Sequence, residues 1–135
     1  MMTKASNNKR NPIAFNFILE LLFPIEPVVK PMFGCHAFYV GEKIMLITRN
    51  KPQHPEDNGI WIALTAEHLD GFKKEFPSLR TVQLLGNKET LWQNLPAGAP
   101  DFEESISRIC ELIRKGDTRI GKIPKARKKK VTRLR

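Results

Sequence analysis

Cysteine is scarce: Cys35 and Cys110 are too few to build a disulfide framework in a chain of 135 residues. No apolar run approaches the ~20 residues that a membrane-spanning helix needs. The polar, basic start over residues 1–10 lacks the apolar stretch and small-residue cleavage site of a secretory signal, so a soluble cytoplasmic protein is expected. There is no glycine-rich phosphate loop, no G-x-S-x-G and no H-E-x-x-H. The three histidines share no metal-ligand spacing, and neither metal nor cofactor is expected. What is present suits one globular domain: 41% of residues are apolar and 27% charged.

The formal charge is +9, unevenly placed. Residues 11–115 hold 11 Lys/Arg against 13 Asp/Glu, so the body is near neutral. The excess lies at the ends, with a flexible basic segment at 1–11 and a basic tail at 117–135 flanking a domain at 12–116. The tail cations Lys122, Lys125, Arg127, Lys128, Lys129, Lys130, Arg133 and Arg135 repel one another and bury nothing, so the tail is expected to be disordered alone. They are the candidate contacts to nucleic acid or an acidic protein, through counterion release in the nucleic-acid case. The competing readings are a purely solubilising tail and contact with an anionic membrane surface. No aromatic residue follows Phe102, so the tail itself offers no base stacking.

Hydrophobic patterning orders the domain. Asn11 and Pro12 suit a helix start, and apolar spacing of four carries that helix over residues 13–23 until Pro24 and Pro27 end it. Residues 30–33 read as a connector. Residues 34–40 and 43–49 are strands around the Gly41-Glu42 turn, and 50–59 is a proline-containing loop. Residues 60–64 alternate as a third strand, and Thr65 caps a helix reaching about residue 75. A second hairpin joins strands 81–85 and 90–95. The last helix starts at Asp101, with Phe102, Ile106, Ile109 and Ile113 on one stripe and Gly116 as its stop. The resulting α-β(3)-α-β(2)-α order predicts an α+β fold of two layers, an antiparallel sheet with packed helices. The first helix carries more apolar surface than a surface helix needs, which makes a homodimer a candidate assembly.

No catalytic residue is assigned. Neighbouring strand residues face opposite ways, so Cys35 and His36 do not form a nucleophile–base pair. Cys110 reads as a small core side chain, and the Glu56-Asp57 and Glu103-Glu104 pairs read as solvated or helix-starting carboxylates. His36, Trp61 and Trp92 are the candidate walls of a small-molecule pocket, an idea that requires all three to converge on one cavity.

Val29-Lys30-Pro31-Met32-Phe33-Gly34, leading into Phe38-Tyr39-Val40 and the Gly41-Glu42-Lys43 hairpin, resembles the opening of the TfoX/Sxy family's N-terminal domain. That resemblance implies a secretion-chaperone-like fold, with Gly34 easing the chain into a strand and Met32 and Phe33 packing the first helix. It also implies a non-enzymatic regulatory or adaptor role. Composition alone leaves room for a protein-interaction or chaperone-like module, or for a small-molecule binding domain. The helical domain that follows in the family's regulators has no counterpart in this sequence.

Overall fold

The computed structural model describes residues 12–84 and 92–124. Among the described residues, three α-helices, α1 (Ile18–Leu22), α2 (Leu69–Glu75) and α3 (Phe102–Arg114), lie with a six-stranded sheet. The strands are β1 (Val28–Met32), β2 (Cys35–Val40), β3 (Lys43–Arg49), β4 (Gly59–Ala63), β5 (Arg80–Thr81) and β6 (Trp92–Pro96). Their order across the sheet is β1-β2-β3-β4-β6-β5, and every pairing is antiparallel. This is the α+β architecture the patterning predicts.

Alternation divides the sheet into two faces. Phe38, Leu46, Ile60, Ile62 and Leu95 face the helices and join Ile18, Leu22, Phe72, Ile106 and Ile109 in the main core. Cys35, Ala37, Ile47 and Trp61 face the other way, together with Met32, Tyr39 and Trp92. The stripe expected on the last helix is present, since Phe102, Ile106, Ile109, Cys110 and Ile113 are all buried. Burial pushes the Cys110 thiol up to about 12, which keeps it a protonated core side chain.

Four local readings need correction. Residues 28–32 form a strand rather than a connector, because Pro31 sits on the sheet's edge strand, where its missing N–H costs no ladder bond. The first helix is shorter than residues 13–23: Phe15 takes a positive φ of 53°, which sets its ring 5.5 Å from that of Phe102, and helical turns begin only after it. The strand expected from residue 81 is cut short: β5 ends at Thr81, the Val82 N–H still donates to the Trp92 carbonyl, and the N–H groups of Gln83 and Leu84 turn to the carboxylate of Asp57. That carboxylate is 1% exposed, so Asp57 is a buried staple and not a solvated loop acid.

The fourth correction concerns the tail. Residues 117–122 fold back along the sheet: Ile120 bridges Leu64 and is buried, Lys122 bridges Ile44, and the Gly121 N–H donates to the Ala63 carbonyl. Arg119 donates to Asp117 and to Glu75 and stacks over the Phe72 ring. This contact holds the Asp117 carboxyl below the usual carboxylate range and raises the guanidinium. Residues 117–122 therefore belong to the domain, because one isoleucine, a salt-bridged arginine and three backbone bonds give them something to bury. Ile120→Val is expected to lower unfolding free energy by about 1 kcal/mol, readable in urea denaturation. A change near zero would mean that the segment does not pack in solution. The remaining tail cations, Lys125, Arg127, Lys128, Lys129, Lys130, Arg133 and Arg135, and the segment 1–11, lie outside the described residues.

Candidate functional site

The sheet face away from the helices forms a concavity of about 690 Å³, within the usual range of small-molecule sites. Its floor is made by the outward residues of four strands. Cys35 and Tyr39 come from β2, Ile47 and Arg49 from β3, Trp61 from β4 and Trp92 from β6. An irregularity in the β2–β3 register after Phe38 pairs Tyr39 with Ile44 and adds Ile44 to this face. The two tryptophans stand with ring centroids 6.3 Å apart at 58°. Trp61 is pinned by its Nε1–H, which donates to the Asp57 carbonyl at 2.9 Å.

His36 is not among the lining residues. It follows Cys35 on β2 and so faces the helix side, opposite Thr48 in register and 7% exposed. The pocket reading holding His36, Trp61 and Trp92 together is corrected to one with Cys35 in place of His36, by the period of two. Burial lowers the His36 pKa. Unfolding then exposes a base that takes up a proton near the ordinary histidine pKa of ~6.5, while the folded chain resists it. Stability is therefore expected to fall as pH drops through that value. A urea midpoint lower at about pH 5.5 than at about pH 7.5, with the difference reduced in His36→Gln, checks this.

Two features of the cleft were not read from the sequence. The first is Arg49, the last residue of β3 and 4% exposed. Its guanidinium donates to the His54 carbonyl at 2.9 Å, the Asn58 Oδ1 at 2.8 Å and the Gln53 carbonyl at 2.7 Å. Those acceptors are all neutral, and no carboxylate among the described residues pairs with it. Asn58 closes the same loop by accepting from the Lys51 N–H and donating to the Lys51 carbonyl. Lys51, His54 and Lys122 add further basic groups to the lining, which among the described residues contains no aspartate or glutamate. Only the parity of Arg49 with Ile47 signalled a cation on an apolar face.

Phe33 is the second feature. It and Gly34 form the two-residue β1–β2 turn with φ of 51° and 78°, the positive pair that marks a type I′ hairpin. Glycine takes this conformation freely and phenylalanine does not. The ring is nevertheless 92% exposed and lies on the cleft's lip. Met32 also packs on this face. The expectation that Met32 and Phe33 cover the first helix is thus reversed, because the turn projects them to the opposite side of the sheet.

Cys35 is a candidate nucleophile only by type. Burial raises its pKa against the opposing pull of Arg49 and Lys51, so the thiol stays protonated. Among the described residues no group of His, Cys, Asp and Glu could hold a metal ion, and no helix is long and apolar enough to cross a membrane. Of the candidate nucleic-acid contacts in the tail, Lys122 lies among the described residues: its Nζ sits 5.6 Å from the centroid of the Trp92 ring. No family model, curated protein or solved structure matches this chain.

Proposed function

We propose that this chain is a non-enzymatic binding domain, regulatory or adaptor in role, whose ligand is an anion with a planar apolar body. Arg49 carries the proposal. A buried guanidinium whose partners among the described residues are all neutral leaves a full positive charge beside an apolar cleft, and buried charge normally has a counter-charge. A phosphate or carboxylate entering the cleft supplies one. The tryptophan pair supports the planar half of the ligand, since flat rings offer stacking surface at little entropic cost. Phe33 supports it as well: an exposed aromatic in a costly backbone conformation is a feature the fold does not need. The regulatory role accords with the resemblance of the Met32-Phe33-Gly34 region to the TfoX/Sxy N-terminal domain. The protonated Cys35 thiol accords with a site that binds without reacting.

Both tryptophans of the chain line the cleft, so intrinsic fluorescence reports on it directly. Phenyl phosphate is expected to quench that emission saturably, and inorganic phosphate to compete only weakly. Replacing Phe33 by asparagine, the residue that type I′ turns favour, separates fold from site. Phe33→Asn is expected to stabilise the chain by about 1 kcal/mol in urea denaturation while weakening phenyl phosphate binding several-fold. Stabilisation with unchanged binding removes Phe33 from the site. Absence of any saturable quenching by phenyl phosphate overturns the proposal.

A further inference from the structure

The β3–β4 ladder stops short of the strand ends. Its register runs from Arg49↔Gly59 to Leu46↔Ile62, and continued it would pair Ile44 with Leu64. Instead Ile44 bridges Lys122 and Leu64 bridges Ile120. Residues 117–124, a strap, have taken the place of that pair. The strap also changes sides there. Ile120 lies in the main core under the helices, whereas Lys122 and Pro124 line the cleft on the opposite face. Gly121 makes the crossing with a φ of 106°, and a Cβ there would stand 2.6 Å from the Met45 Sδ. Each end of the strap is thus fastened to a different layer. Arg119 pairs with Asp117 and Glu75 and covers the Phe72 ring on the helix side, and Lys122 stands over Trp92 on the cleft side. Among the described residues three backbone bonds tie the strap to the sheet, one from Gly121 to Ala63 and two between Lys122 and Ile44. Two isolated bridges and one buried isoleucine make a segment that opens more readily than β3 and β4, which are interior strands of the sheet.

We infer that the strap is a latch coupled to the cleft: a bound anion holds it closed, and its opening weakens the anion's hold; this rests on the anion-binding role proposed above. The coupling has a physical source. The closed latch adds Lys122 and Pro124 to the wall, so an anion meets a cation that the open latch withdraws. In the empty cleft Lys122 shares a lining with Arg49 and Lys51, and like charges favour release. Linkage then makes one factor appear twice. The factor by which opening weakens the ligand is the factor by which the ligand suppresses opening. Loosening the helix-side fastening must therefore be felt at the cleft, although Arg119 and Gly121 are not among the described lining residues.

The test is amide hydrogen exchange of the full chain, read by mass spectrometry with and without saturating phenyl phosphate. Strap amides are expected to exchange faster than those at the centres of β3 and β4, and to slow about ten-fold when phenyl phosphate binds. Gly121→Ala should hold the latch open, because alanine suits neither that backbone nor the space beside Met45. It should weaken phenyl phosphate about ten-fold, the same factor, and leave strap exchange insensitive to the ligand. Arg119→Gln is the second variant and leaves the crossing intact. It should speed strap exchange and weaken binding a few-fold, with protection of α3 unchanged. Wild-type exchange is the reading that needs no variant to fold. Strap exchange that stays the same with phenyl phosphate bound overturns the inference, as do variants that speed strap exchange at unchanged affinity. In either case saturable quenching by phenyl phosphate leaves the anion-binding reading standing. If phenyl phosphate does not bind the wild-type chain, both fall.

Discussion

Asp57→Ala is expected to lower the unfolding free energy by about 2–3 kcal/mol, measured by urea denaturation. The carboxylate is 1% exposed and accepts the N–H of Gln83 at 3.0 Å and that of Leu84 at 2.8 Å. Hydrogen bonds to a charged group contribute about 1.5–3 kcal/mol each, and alanine leaves both donors to find water. Water reaches them in part, because Gln83 and Leu84 are themselves exposed, which keeps the total below the sum of two such bonds. The binding consequence follows from the same geometry: Leu84 lines the cleft, and Asp57 also holds Trp61 through its carbonyl. Phenyl phosphate affinity should fall along with stability. Asp57→Asn keeps one acceptor oxygen and is expected to lie between wild type and alanine. A stability loss under about 0.5 kcal/mol, the range of neutral surface changes, would show that the staple is dispensable.

Arg49→Met should weaken phenyl phosphate binding about 100-fold, which is about 2.7 kcal/mol. Methionine keeps much of the apolar stem and removes the charge. The contrast is Lys51→Met, where a charge on the loop that rims the cleft goes instead of a buried one, and the expected loss is only a few-fold. Calorimetric titration of both variants ranks them. Because Arg49 also ties the carbonyls of Gln53 and His54 and the Asn58 side chain, the variant's urea midpoint has to be measured beside its affinity. Arg49→Lys separates the roles, since it keeps the charge and loses the fork that satisfies three oxygens. Equal affinities for wild type and Arg49→Met would remove the guanidinium from the binding site.

Most of the architecture was legible in residue order. The stripe of Phe102, Ile106, Ile109 and Ile113 has the helical period and is buried as one face. The 34–40 and 43–49 hairpin is marked by its Gly41 turn, and Ile60 and Ile62 alternate with Trp61 across β4 as period two demands. The same rule placed Cys35 and His36 on opposite faces from sequence alone. Applied one step further, to Trp61 and Trp92, it would have kept His36 out of their cavity.

Tertiary context decided the rest. Pro31 reads as a breaker, and only its position on an edge strand makes a strand of it. The helix start moved because Phe15 gave up helical backbone to pack on Phe102, 87 residues away in sequence. Asp57 looks like a loop acid until β6 and the chain after β5 fold over it. Arg49 looks like a strand-ending surface cation until the 50–58 loop wraps its guanidinium in carbonyls. Local pattern determines which residues share a face, because that depends on backbone geometry alone. Which buried charge lacks a counter-charge, and where a basic tail departs, depend on distances between segments far apart in the chain, and only the folded chain sets those.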